Sequence, residues 1–188
     1  MPRFIFTLSL VILFAFTANA QVTLNDVTLP SKLSFNEQSL DLNGAGIRSK
    51  FVFKLYTIGL YLSKKSSDGN AILKANDHMA VRFEITSDMI NSENMSEAIN
   101  EGFDKSTNEN TSAIRIRIDK MLKAFSSQAI SIGDLFEIVY APGAGTAIYK
   151  NGKLKSTIEG LDFKKALFGI WISDNPINSG LKKDLLNK

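Results

Sequence analysis

The stretch FVFKLYTIGLYL, residues 51–62, carries the clearest strand pattern in the chain, because it is rich in aromatic and β-branched residues and contains no proline. An apolar alternation over residues 40–42 precedes it and leads into GAGIR, residues 44–48. These segments predict consecutive strands that pair antiparallel. The fold is therefore expected to contain an antiparallel sheet that includes both of them.

The middle of the chain alternates between helical and strand patterns. Residues 68–75 carry apolar side chains at helical spacing, whereas residues 78–86 alternate like a strand with one buried face. Ser92 is expected to cap the next helix. Residues 114–125 predict a further helix because their later apolar positions keep the helical period, although residues 114–118 also alternate like a strand.

The last third of the chain returns to strands and ends in helices. Residues 135–140 alternate like a strand, and the dipeptide NG at 151–152 predicts a tight hairpin between two further strands. From Leu161 the chain is expected to be helical, with Lys164 and Lys165 opposite an apolar stripe. No linker or repeat divides the chain. This order predicts one α+β domain with a mainly antiparallel sheet and a layer of helices on one face.

The first 20 residues have the pattern of a secretory signal peptide. Arg3 precedes an apolar run over residues 4–16, and small residues follow up to Ala20. We expect cleavage after Ala20 and a folded domain over residues 21–188. The apolar run is shorter than the ~20 residues that span a bilayer, so no stable membrane span is expected after cleavage. Export of a chain without cysteine favours the bacterial periplasm.

Composition excludes several classes of protein. The 188 residues include no cysteine and one histidine, His78, so disulfides, thiolate chemistry and multi-histidine metal sites are excluded. The formal net charge of +3 falls to +2 without Arg3, which is too weak for a nucleic-acid-binding protein. The two Gly-Ala-Gly runs lack the third glycine of a dinucleotide-binding motif, where Ser49 and Ile148 stand. We expect no metal, no cofactor and no nucleic-acid partner.

The order of motifs along the chain resembles the chalcone isomerase superfamily, and its secreted bacterial branch in particular. The resemblance begins with GAGIR at 44–48 and YTIGLYL at 56–62, and it continues through MSE at 95–97, NGK at 151–153 and the helix over residues 163–171. It covers about residues 40–187. It implies the family's open-faced sandwich, a sheet with a layer of helices on one face and a ligand cleft between them.

The resemblance also allows the family's chemistry to be compared with this chain. In plant chalcone isomerases a phenolate adds to an α,β-unsaturated ketone, an arginine steadies the negative charge, and hydroxyl and amide side chains orient the carbonyl. Arg48 matches the arginine. The strand threonine, helix tyrosine and helix asparagine correspond to Tyr56, Met95 and Gly102, and Gly169 replaces a small hydroxyl residue. The loss of these donors favours binding over catalysis.

Three functions follow as hypotheses. The first is a non-catalytic periplasmic protein that binds a small apolar or fatty-acid-like acid with Arg48 as the anion clamp, as in fatty-acid-binding relatives that keep the arginine. The residues expected to line its cleft are Arg48, Tyr56, Thr57, Met95, Ile99, Gly102, Gly169 and Ile170. The second is an active isomerase, an intramolecular lyase, in which Arg48 is catalytic. The third is an envelope interaction protein with a vestigial cleft. A competing role for Arg48 is a salt bridge with Asp41 or Glu84.

Overall fold

The computed structural model describes residues 21–126 and 128–188, so the signal peptide predicted over residues 1–20 lies outside the described residues. Nine strands occur in the described chain: β1 Val22–Leu24, β2 Val27–Leu29, β3 Lys32–Phe35, β4 Gln38–Lys50, β5 Phe53–Leu62, β6 Met79–Ile85, β7 Leu135–Ala141, β8 Gly145–Lys150 and β9 Lys153–Ile158. Five α-helices occur with them: α1 Gly69–Lys74, α2 Ser92–Thr107, α3 Arg115–Ser126, α4 Leu161–Ile172 and α5 Ser179–Leu185.

One antiparallel sheet of seven strands organises the molecule. Its strands follow chain order from β3 to β9, and every neighbouring pair is antiparallel. The longest strands are β4 and β5, with 13 and 10 residues. They form the predicted hairpin, in which Arg48 lies opposite Tyr56. The small hairpin of β1 and β2 covers part of the outer face, where the Tyr61 hydroxyl donates to the Pro30 carbonyl at 3.0 Å.

The helices cover the other face of the sheet and bury the main core, which confirms the predicted fold class. Helices α2 and α4 pack closely, and the Ser106 hydroxyl on α2 donates to the Ala166 carbonyl on α4 at 2.7 Å. Helix α5 crosses β4 at GAGIR. A Cβ on Gly46 would lie 2.7 Å from Leu181 Cδ1, and a Cβ on Gly44 would collide with the backbone of α5. These glycines therefore allow α5 to dock on the sheet.

Helix α4 corrects the prediction for Lys164. That lysine was expected opposite the apolar stripe, but its side chain is fully buried. Its ammonium donates to the carbonyls of Ile72, Leu73 and Ala75 at 2.7, 3.1 and 2.9 Å. These carbonyls close the C-terminal end of α1, where helical acceptors need partners from outside the helix. Because α1 packs across α4, the lysine faces protein where solvent was expected.

The starts of helices α2 and α3 also differ from the sequence-based predictions. The cap of α2 is Asn91, whose side chain accepts from Asn94 N at 2.9 Å, while the predicted cap Ser92 donates to the Gln128 carbonyl at 3.0 Å. Residues 114–118 form the end of a 3₁₀ turn, Ser112–Ile114, and the first turn of α3.

No helix within residues 21–126 and 128–188 combines the length and apolar character needed to cross a bilayer.

Candidate functional site

A cavity of about 260 Å³ lies between the sheet and the helices. Its walls come from β4, β5 and β6 on one side and from α2, α3 and α4 on the other. Most lining side chains are apolar, among them Leu55, Phe83, Met95, Ile99, Phe125 and Ile170. An interior of this kind favours an apolar ligand body, and its few polar groups decide which end of a ligand binds where.

Arg48 is the buried cation of this cavity. Its side chain is 9% exposed, and its guanidinium donates to the backbone carbonyl of the neighbouring Ser49. Within the described part of the chain, no carboxylate lies within 4.0 Å of its nitrogens. Asp41 pairs with Lys32 at 3.3 Å, and neither Asp41 nor Glu84 pairs with Arg48, so the salt bridge considered as a competing role for Arg48 is not formed. A guanidinium has five N–H donors, and among the described residues the Ser49 carbonyl is the one acceptor that Arg48 contacts.

Tyr56 faces Arg48 across the β4–β5 pair and lies beside it in the lining. Its hydroxyl oxygen accepts from Trp171 Nε1 at 3.1 Å. Burial raises the pKa of Tyr56, while the Trp171 hydrogen bond and the Arg48 charge oppose that shift. The phenol is therefore protonated near neutral pH and can donate one hydrogen bond. Since Trp171 occupies an acceptor position, the phenolic hydrogen is available to a group inside the cavity.

Aromatic packing holds this tyrosine in place. The Tyr56 ring lies 5.1 Å from the Phe83 ring, which in turn lies 5.2 Å from Phe136 and 6.5 Å from Trp171. Rings at these separations attract one another beyond the burial of their area. The hydroxyl is thus fixed by the ring packing on one side and by the indole N–H on the other.

Acidic residues lie at the rim of the cavity and are exposed to solvent. Glu97 and Glu101 project from α2, and both line the opening. Glu101 pairs with Lys105 at 2.9 Å, and this hydrogen bond is the main cause that lowers the pKa of Glu101. The rim is therefore mixed in charge, and the positive charge of Arg48 also contributes to the lowered pKa of Glu101.

Five of the eight predicted site residues line the cavity: Arg48, Tyr56, Met95, Ile99 and Ile170. The sequence analysis did not connect Trp171 to the site, although Trp171 lines the cavity and its indole N–H donates to the Tyr56 hydroxyl. Its position next to Ile170 on the predicted helix was the available signal. Lys50 was also missed, two residues after Arg48 on the same strand.

The structure places the other three predicted residues, Thr57, Gly102 and Gly169, outside the lining. Thr57 follows Tyr56 on β5, and strand alternation turns it to the outer face, where its hydroxyl donates to the Leu24 carbonyl at 3.3 Å. The two glycines are contact points between helices. A Cβ on Gly102 would lie 2.8 Å from Ile170 Cγ2, and one on Gly169 would lie 3.1 Å from Ser106 Cβ.

Across residues 21–126 and 128–188, no three His, Asp or Glu side chains come close enough together to hold a metal ion. His78 is half-buried and lies outside the cavity described above.

Comparison with known proteins agrees with the fold. The structure superposes on the crystal structure of the Arabidopsis thaliana fatty-acid binding protein AtFAP1 with a TM-score of 0.72 and 12% identity, over 89% of this chain and 96% of that one. No curated protein sequence matches the chain. A sequence model of the chalcone isomerase-like family matches residues 21–187. The chain therefore belongs to the chalcone isomerase-like family.

Proposed function

We propose that this protein is a non-catalytic member of its family that binds a small apolar or fatty-acid-like acid in the cavity between sheet and helices. In this proposal Arg48 and Tyr56 hold the carboxylate, and the apolar walls hold the alkyl chain. The observation that carries the proposal is the buried Arg48 guanidinium, which has no carboxylate within 4.0 Å among the described residues and lies in a cavity whose lining is mostly apolar.

The energetics favour an anion at this position. A buried charge is costly unless it is paired and hydrogen-bonded, and within the described residues Arg48 donates only to a neighbouring carbonyl. A carboxylate would supply the missing charge and could accept two parallel N–H donors from the guanidinium. The Tyr56 hydroxyl would add a third donor. Each methylene of the alkyl chain would contribute about 0.8 kcal/mol when buried.

The size of the cavity limits the ligand. Its volume of about 260 Å³ lies just below the ~300–1,000 Å³ that is usual for small-molecule pockets. A short or medium alkyl chain suits this space better than a long one. A longer chain would have to leave past Met89, which is 42% exposed and lines the same cavity.

The polar groups of the cavity support binding better than isomerase chemistry. Oxyanion stabilisation in enzymes depends on several fixed donors, and loss of one costs about 2.7–4 kcal/mol of transition-state stabilisation. By the resemblance to the plant enzymes, Met95 replaces a tyrosine donor and Gly102 an asparagine donor, and Gly102 is covered by Ile170. AtFAP1, which has the same fold, is described as a fatty-acid binding protein, and this supports ligand binding over isomerase activity.

The test of this proposal is the identity of what the protein carries. Mass spectrometry of small molecules extracted from the purified protein is expected to find a short or medium chain acid. An Arg48→Met variant is expected to yield much less of it, whereas Arg115→Met, which removes an arginine of an exposed ion pair on α3, is the matched control.

Two results would contradict the proposal. The first is an empty protein that also shows no thermal shift with a series of acids. The second is turnover of a chalcone-like ketone above the spontaneous rate, lost in Arg48→Met, which would favour the isomerase. If the first result is accompanied by a stable crosslinked partner, it favours the envelope interaction protein.

We also propose that residues 1–20 direct export and that the folded domain acts in the periplasm. The support is the charge and apolar pattern of that segment. N-terminal sequencing of protein recovered from the periplasmic fraction is expected to start at Gln21. Recovery from the cytoplasm with Met1 intact would contradict this location.

A further inference from the structure

The turn between β4 and β5 presents an apolar tip to solvent. Phe51 and Val52 are 90% and 86% exposed, and Phe53 is 49% exposed. Exposed Lys50 and Lys54 flank them, so that the tip has the sequence KFVFK. Contiguous exposed apolar side chains on a soluble domain mark an interaction site more often than scattered single ones do.

The charges at this tip are not neutralised by the protein. Lys54 donates to the Asn25 amide oxygen at 3.3 Å, and within the described residues neither Lys50 nor Lys54 has a carboxylate within 4.0 Å. The positive charge of Lys50 lowers the pKa of Glu101, but Lys105 is the larger cause of that shift and is the residue that pairs with Glu101. The tip therefore presents positive charge around an apolar centre.

Another exposed apolar residue provides a contrast. Ile116 on α3 is 86% exposed and also lies between two basic residues. Its neighbours are both neutralised, however, because Arg115 pairs with Asp119 and Arg117 pairs with Asp162. An exposed apolar side chain between basic residues is therefore not special to the tip. The tip differs because it has several exposed apolar side chains, and because the lysines beside them have no carboxylate partner among the described residues.

The tip lies next to the mouth of the cavity. Lys50 lines the cavity, and Val52 follows it by two residues. At a rise of about 3.3 Å per extended residue, the tip reaches no more than ~10 Å beyond that lining position. Exposed Met89 lines the same opening. Any surface that the tip contacts is therefore brought close to the entrance of the cavity.

We infer that the β4–β5 tip inserts its apolar side chains shallowly into an anionic lipid surface, with Lys50 and Lys54 at the headgroups. Lipid explains the small size of the feature, since a stable protein interface needs ~800 Å² per partner, whereas three side chains offer a few hundred at most. An interfacial anchor needs only apolar insertion and attraction between basic residues and anionic lipids. Docked in this way, the tip holds the cavity mouth close to the bilayer.

The test is sedimentation of the purified protein with vesicles. Vesicles of phosphatidylglycerol and phosphatidylcholine in equal amounts are expected to bind it, more tightly than phosphatidylcholine alone and less tightly as salt rises. Phe51→Asn combined with Val52→Ser is expected to weaken binding about tenfold or more, as the loss of two inserted apolar side chains predicts. Lys54→Gln is expected to weaken it about fivefold, the effect of one basic residue at such a surface.

Ile116→Ser is the matched control, because it removes an equally exposed apolar side chain between neutralised arginines. It is expected to leave vesicle binding unchanged. Failure of the parent protein to bind anionic vesicles, or equal binding by the Phe51/Val52 double variant, would overturn the inference. A dimer in sedimentation velocity that the double variant abolishes would also overturn it and assign the tip to a second copy. No acid is added, so a negative result here leaves ligand binding in the cavity untouched.

Discussion

Lys164 makes the stability of this protein depend on pH in an unusual direction. The side chain is fully buried in α4, and its ammonium donates to three carbonyls at the end of α1. Burial lowers the pKa of Lys164 from 10.5 to about 8, against the opposing charge of Asp77. In the unfolded chain the same amine is solvated and keeps its ordinary pKa.

The direction of this pH dependence follows from the number of protons that the folded and unfolded states bind. Between the folded pKa of about 8 and the unfolded value of 10.5, the unfolded state binds more protons than the folded state, so the free energy of unfolding rises with pH. At 1.36 kcal/mol per unit, the two units from pH 8 to pH 10 contribute about 2–3 kcal/mol. Above about pH 10 the trend reverses, because burial raises the pKa of Tyr56 and Tyr61 and opposes their ionisation in the folded state.

Urea unfolding of the parent protein and of Lys164→Met at a series of pH values between neutrality and about pH 10 measures this contribution. The variant loses the hydrogen bonds to α1 at every pH, so its curve is displaced as a whole. The difference in unfolding free energy between the two proteins is expected to grow by about 2–3 kcal/mol from pH 8 to pH 10. Parallel curves would refute the reasoning, because they would show that burial does not penalise the charged lysine.

Three further substitutions have expected outcomes. Tyr56→Phe removes the donor to a bound carboxylate and leaves the Trp171 N–H unpaired, so acid affinity is expected to fall about tenfold in calorimetry and stability by about 1–3 kcal/mol in urea. Gly102→Ala places a methyl 2.8 Å from Ile170 Cγ2 and pushes that side chain toward the cavity, so the preferred acid in a thermal-shift series is expected to become shorter. Phe51→Asn relieves a non-glycine residue at φ 55° and is expected to raise the melting temperature, with a gain of at most ~1 kcal/mol.

Much of the fold could be predicted because its signals are local. The β-branched and aromatic run of β5, the alternation of β6 and the Asn151-Gly152 hairpin all depend on neighbouring residues, and the structure contains each of them. The three-residue strands β1 and β2 carry too little pattern to be recognised. They form because they can pair with each other and cover the outer face of the sheet.

The site was predicted less completely. Which residues line the cavity depends on the face of the strand that each side chain occupies and on where the helices cross. Thr57 and Tyr56 are adjacent, so a shift of one residue moves a side chain from the cavity face to the opposite face. Gly102 and Gly169 lie at a helix crossing that only the packing of α2 on α4 defines. The burial of Lys164 could not be predicted for a similar reason, because its hydrogen-bond partners in α1 lie some 90 positions away along the chain.

The central claim is that Arg48 provides the positive charge that an acid needs in an apolar cavity. Calorimetric titration of decanoate and of decanol into the parent protein and into Arg48→Met tests it most directly, with Arg115→Met as the control. The account predicts that Arg48→Met weakens decanoate binding about tenfold or more, as loss of a charged hydrogen bond does, and leaves decanol binding nearly unchanged. Equal weakening of both ligands, or decanoate binding that survives the substitution, would contradict it.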